Sequence, residues 1–191
     1  MKRIFIAVDI SEEARRAAAA YIDKLQDEFA DLRVGWERAE KLHLTLRFIG
    51  SLEEDRIEAL NEHLSQAVAT AARPFDIAIS GTGVFPSPRK ARVLWLGVTG
   101  DNQALANLAA IAEDACQRVG LESEKRAFKP HLTVARLKEP ERSRALAERH
   151  LSGTFPPIRF TVADLVLYES KLRPTGSVYS ILARFPLVGA E

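Results

Sequence analysis

"HLTLRFIG" runs from His43 to Gly50, and "HLTVARLK" from His131 to Lys138. The chain has four histidines in 191 residues, and two of them open nearly the same phrase. Branched and aromatic residues make both phrases strand-like. Side chains alternate along a strand, so His43 and Thr45 share one face while Leu44 and Leu46 take the other. The same parity groups His131 with Thr133, opposite Leu132 and Val134. The apolar residues anchor each strand on a core. The His and Thr remain on the polar face, with Cα atoms about 7 Å apart.

Outward from these phrases the pattern repeats. Strand-like runs fall at 3–8, 43–50, 75–80, 92–98, 131–137, 158–168 and 177–185. Helical stretches lie between them. Ser11 followed by Glu12 and Glu13 reads as an N-cap with an acidic first turn. Ile57, Leu60, Leu64 and Val68 have helical spacing, as do Leu105, Leu108 and Ile111, and Gly120 ends the latter stretch. A shorter helix fits 139–151. From Val8 to His43 is 35 residues, and from Val98 to His131 is 33. His63 and His150 recur 20 and 19 residues after the two motifs, on stretches polar enough to expect both at the surface. The expected fold class is α+β, with two pseudo-twofold-related lobes. Each lobe is an antiparallel sheet with helices packed outside, and a cleft lies between them. Residues 1–191 read as a single two-lobed domain with one His-x-Thr-x motif per lobe, at 43–46 and 131–134.

Composition narrows the class of function. Twenty-seven basic against 26 acidic residues give a net charge of +1, so any polyanion must be met by a local patch. Cys116 is the one cysteine, which suits a reducing cytoplasm and leaves no partner for a disulfide. "MKRIFIAVDI" is interrupted by Asp9 and reads as a buried strand rather than a signal peptide. No run approaches the roughly 20 apolar residues that cross a bilayer, so no membrane association is expected.

Two imidazoles and two hydroxyls facing one another suit in-line displacement at a phosphate. One imidazole serves as base on the attacking oxygen and the other as acid on the leaving oxygen. The hydroxyls can donate to the non-bridging oxygens, where charge accumulates. A lone His-x-Thr in a strand is usually just a polar face. Two among four histidines and eight threonines are hard to assign to packing. The residues themselves do not say which imidazole is the acid.

The phrases "KLHLTLRFIG" and "FKPHLTVARL" resemble the paired motifs of the two-histidine phosphoesterase superfamily. Within it the chain resembles the bacterial RNA 2′,3′-cyclic phosphodiesterases, also called 2′-5′ RNA ligases. "RIFIAVDI", "GVFPSPRKARVLWLGV" and "LVLYESKLRPTGSVYSIL" extend the likeness over essentially the whole chain. The resemblance implies an enzyme with no metal and no nucleotide cofactor that opens an RNA-terminal 2′,3′-cyclic phosphate to a 2′-phosphate. It implies His43 as proton donor, His131 as proton acceptor, and Thr45 and Thr133 as phosphate-binding residues. Reversal with an RNA 5′-hydroxyl would make a 2′-5′ bond. The implied partner is an RNA end, tRNA fragments among the candidates, with no obligate protein partner.

Further residues are candidates for the rim of the site. Arg47 shares parity with His43 and could reach a neighbouring phosphate. Arg126, Phe128 and Lys129 lead into Pro130-His131, and Arg89, Lys90 and Arg92 could add charge. Phe128 and Phe48 could stack on a base, although core packing suits Phe48 better. Arg136 has the wrong parity and faces away unless a bulge intervenes. Tyr168 and Ser170 frame the cleft at most. The competing functions are a cyclic phosphodiesterase for small nucleotides, a non-catalytic binder of RNA ends, and a zinc hydrolase. The last lacks a third ligand near either motif.

Overall fold

The computed structural model describes residues 1–174 and 176–188. Its elements are β1 (Lys2–Asp9), α1 (Glu12–Glu28), β2 (Val34–Trp36), β3 (His43–Leu52), α2 (Glu54–Ala71), β4 (Phe75–Phe85), β5 (Val93–Gly100), α3 (Asn102–Arg118), β6 (His131–Leu137), α4 (Arg144–Leu151), β7 (Ile158–Val162), β8 (Asp164–Arg173) and β9 (Gly176–Pro186). The run at 158–168 is thus the whole of β7 and the first half of β8. The three-residue β2 lies in a stretch with no strand signal.

Local chemistry starts the helices where the sequence places them. Ser11 accepts from the Ala14 N–H at 3.1 Å to cap α1, and Asp101 accepts from Ala104 at 2.9 Å to cap α3. Gly120, just past α3, takes φ of +77°, the left-handed conformation in which only glycine lacks a Cβ clash. Ile57, Leu60, Leu64 and Val68 are all buried, as their spacing predicts. The helix expected over 139–151 begins only at Arg144, after a turn that contains Pro140. No helix among the described residues is long and apolar enough to cross a membrane.

The strands form two antiparallel sheets, ordered β3-β1-β8-β9 and β2-β6-β5-β4-β7. This is the expected α+β class, and each sheet carries one His-x-Thr strand. The pseudo-symmetry pairs β1 with β5, β3 with β6, and β8 with β4. Consecutive halves of the chain do not make separate sheets, however. The His43 sheet takes β8 and β9 from the C-terminal half, and the His131 sheet takes β4 from the N-terminal half. Helices α2 and α3 pack together and contact β9 and β3, while α1 contacts β6 and β7 and α4 contacts β4. One continuous apolar cluster includes residues of both sheets and all four helices.

Candidate active site

Each motif strand carries an irregularity in the same place, and β3 has a second one further on, at Ile49. In the β1–β3 ladder Ile6 faces Arg47 but Ala7 faces Thr45, so Leu46 is an extra residue. In the β5–β6 ladder Leu94 faces Ala135 but Trp95 faces Thr133, so Val134 is extra. A bulge of this kind reverses the parity beyond it. Leu46 and Arg47 both turn toward the core side, as do Val134 and Ala135, and the fifth residue after each histidine turns into the cleft. That residue is Phe48 in one motif and Arg136 in the other, and both line the cavity that holds His43, Thr45, His131 and Thr133.

The bulges correct three expectations. Arg47 is not an open cleft cation. It edges an adjoining cavity, but its side chain is 12% exposed and pairs with Glu113 at 2.9 Å and Glu124 at 3.3 Å. It also donates to the Glu122 carbonyl at 2.6 Å. Arg136 is a cleft residue, against its simple parity, and stands 3.6 Å from Glu37. Phe48 is 45% exposed and is not a core side chain.

Both catalytic candidates are held alike. His43 Nδ1 lies 2.6 Å from the Lys41 carbonyl, and His131 Nδ1 lies 2.7 Å from the Lys129 carbonyl, two residues upstream in each case. A carbonyl only accepts, so Nδ1 carries the proton and donates it. In the neutral ring Nε2 is then left bare. His43 Nε2 meets the Thr45 hydroxyl at 3.0 Å. Lys129 therefore contributes through its backbone, and Pro130 fixes the extended approach.

The two imidazoles differ in surroundings. His43 stacks on Phe5 with ring centroids 4.8 Å apart, meets Tyr179 edge-on at 5.5 Å, and has Tyr168 at 6.1 Å. This desolvation pushes its pKa down to about 4, and the carbonyl bond and Asp9 charge only partly offset the shift. His131 has Phe85 edge-on at 5.0 Å and Trp95 at 6.4 Å, and desolvation lowers its pKa as well. Asp9 faces His43 in the ladder, accepts from the Tyr168 hydroxyl at 2.5 Å and pairs with Arg184 at 2.9 Å. Tyr168 lines neither cavity and instead holds Asp9 and stacks on Phe5.

Two cavities meet at His131, with Thr45, Thr133 and Arg136 on the wall of both. One, of about 510 Å³, is bordered mainly by polar groups, including Arg136, Ser170 and Tyr179. The other, of about 970 Å³, has Phe85, Pro86, Val93, Phe128 and Ala106, Ala109 and Ala110 of α3 along its wall. Arg126 and Lys129 edge this second cavity, and Arg126 is tied to Glu124 at 3.1 Å. Arg89, Lys90 and Arg92 line neither cavity. Among the described residues no group of three or more His, Cys, Asp or Glu side chains is placed to hold a metal ion.

His150, expected at the surface, is fully buried. Its Nε2 lies 3.0 and 3.1 Å from the Gly83 and Trp95 carbonyls, so it donates there, and Nδ1 accepts from the Tyr21 hydroxyl at 2.9 Å. Residues that the sequence reading missed are Phe5, Phe85, Trp95 and Tyr179. Phe5 and Tyr179 could have been found by following face parity across the ladders, but only once the strand neighbours were known.

Two antiparallel sheets that each present a His-x-Thr strand to one cleft define a two-histidine class of site. The chain belongs to the 2′-5′ RNA ligase superfamily, whose family model matches residues 14–173. It is 34% identical over 181 residues to the RNA 2′,3′-cyclic phosphodiesterase of Thermotoga maritima, covering 94% of this chain and 92% of the relative. The protein of that name from Methanothermobacter thermautotrophicus is 34% identical over 188 residues, covering 97% and 98%. Crystallised E. coli LigT complexed with 3′-AMP superposes with a TM-score of 0.78 at 25% identity, over 98% of this chain and 99% of that one.

Proposed function

We propose that this chain hydrolyses RNA-terminal 2′,3′-cyclic phosphate to a 2′-phosphate by paired-imidazole acid–base catalysis. Its similarity to relatives named RNA 2′,3′-cyclic phosphodiesterase supports the substrate. The matched bonds from Nδ1 to backbone carbonyls carry the chemistry, because they leave the two Nε2 atoms as the working nitrogens of one cavity. His131 Nε2 takes a proton from water as its oxygen attacks phosphorus. The P–O3′ bond breaks, and His43 Nε2 gives its proton to the departing O3′. Thr45 and Thr133 donate to the non-bridging oxygens, and Arg136 supplies positive charge. An RNA 5′-hydroxyl in place of water would run the same steps toward a 2′-5′ bond.

Desolvation keeps His43 neutral in the free protein near pH 7, so its donating form depends on the substrate's own anionic phosphate, which favours the protonated ring. RNA ends, tRNA fragments included, are the partners this reading implies. The single cysteine, buried and free, supports a cytoplasmic setting.

The test is to incubate the protein, in EDTA, with an RNA oligonucleotide ending in a 2′,3′-cyclic phosphate, and to identify the product isomer. The expected product is the 2′-phosphate. His43→Ala and His131→Ala should each cost about 10²–10⁴-fold in kcat. Activity that survives either substitution, or that EDTA abolishes, would remove the paired-imidazole mechanism.

A further inference from the structure

An RNA brings more than its terminal phosphate. A second one, the phosphodiester on the 5′ side of the terminal nucleotide, lies one nucleotide away. We infer that Arg3, with Lys41 on the same cavity, binds that phosphodiester and makes the site select oligonucleotides over a lone cyclic nucleotide. The inference rests on the function proposed above and names what its polar cavity is for.

Position is the first support. Arg3 and Phe5 share a face of β1, about 7 Å apart, and Phe5 stacks on His43. Arg3 therefore lies one side chain further along the cavity from the reacting phosphate. Lys41, just before the first motif, lines the same cavity with Ser170 and Ser177.

Charge is the second. Of the other arginines at the two cavities, Arg47 pairs with Glu113 and Glu124 and Arg126 with Glu124, while Arg136, 3.6 Å from Glu37, is the one assigned above to the reacting phosphate. Among the described residues neither Arg3 nor Lys41 has a carboxylate within ion-pair distance or donates a side-chain hydrogen bond. Both lie over aromatic faces instead, the Arg3 guanidinium 4.9 Å from the Phe48 ring centroid and the Lys41 ammonium 5.9 Å from that of Tyr179. A cation–π contact positions a cation without using its N–H donors. These donors stay free for phosphate oxygens. Lys129 is also without a carboxylate, but it edges the other cavity. In a chain of net charge +1, two cations without carboxylate partners on the cavity of the reacting groups supply the local positive field that an RNA strand requires.

The experiment compares three substrates with wild type, Arg3→Gln and Arg3→Lys. They are adenosine 2′,3′-cyclic phosphate, the dinucleotide ApA ending in the same cyclic phosphate, and that dinucleotide with a neutral methylphosphonate at the internal link. For wild type, kcat/KM should favour the charged dinucleotide over the mononucleotide by about tenfold or more. The methylphosphonate should lose most of that preference. Added salt should weaken it, with a log–log slope near −0.7 for one phosphate contact. Arg3→Gln should bring the ratio near unity while still opening the mononucleotide, which shows the variant folded, and Arg3→Lys should keep part of the preference. An unchanged ratio in Arg3→Gln, or equal rates on the charged and neutral dinucleotides, would overturn the inference alone. Failure of wild type to open any of the three would overturn the proposed function, and this inference with it.

Discussion

Three of the four histidines are fixed by hydrogen bonds, and the pattern of those bonds separates their roles. His43 and His131 donate from Nδ1 to a carbonyl and leave Nε2 for the cleft, whereas His150 uses both nitrogens inside the core. The motif pair was legible because the residue types and their strand parity recur. The burial of His150 was not, because it depends on Tyr21, 129 residues away. Burial of His43 also has a consequence for stability. Its folded pKa of about 4 lies below the ordinary value of 6.5, so between these values the unfolded chain binds more protons. Stability is then retained above about pH 6.5 and lost as pH falls toward 4. His131 and His150 share that direction, so the comparison must be with a variant. Between pH 7 and pH 4, His43→Gln should lose less stability than wild type, by on the order of 1–3 kcal/mol. Urea unfolding at a series of pH values reads this directly, and parallel pH profiles for the two proteins would refute it.

At the scale of elements, alternation along a strand predicts which side chains face the cleft as far as each threonine and fails just beyond it. Leu44, Leu46, Leu132 and Val134 are buried as the pattern demands. The extra residue after each threonine exchanges the fates of Arg47 and Arg136, and a bulge leaves no mark in a run of apolar residues. Trp95 shows how close approach shapes the second motif. Its indole lies so near Gly83 that a Cβ there would come within 2.1 Å of ring carbons. The same indole stands 6.4 Å from the His131 ring, and Trp95 faces Thr133 in the ladder. Gly83→Ala must therefore displace the ring. Overpacking of this kind should cost about 1–3 kcal/mol of stability. It should also lower kcat/KM for cyclic phosphate opening, since the displaced ring borders the proposed base. A variant with wild-type urea midpoint and activity would mean that the ring moves freely.

At the scale of the whole molecule, the repeat was legible but its connectivity was not. Equal spacings between strands and motifs report that two units are alike, not which unit supplies each strand. Here the third strand of each unit crosses to the other sheet: β8 joins β1 and β3, while β4 joins β5 and β6. The helices follow the same exchange, with α1 of the first half against β6 and β7, and α3 of the second against β3. This arrangement forbids two independently folding halves. A fragment of residues 1–100 holds β1 and β3 without β8 and β9, and holds β4 and β5 without β6 and β7. Its apolar strand faces and sheet edges would be left uncovered. Residues 101–191 are equally incomplete. Each fragment alone should lack a cooperative thermal transition and the dispersed amide spectrum of a folded domain. Mixed at equal concentration, they should recover both, because every missing strand is present in the other piece. They should also recover cyclic phosphate opening, since each fragment carries one histidine of the pair. A half that folds by itself, with a cooperative transition of its own, would show that the exchange of strands between sheets does not hold the two units together.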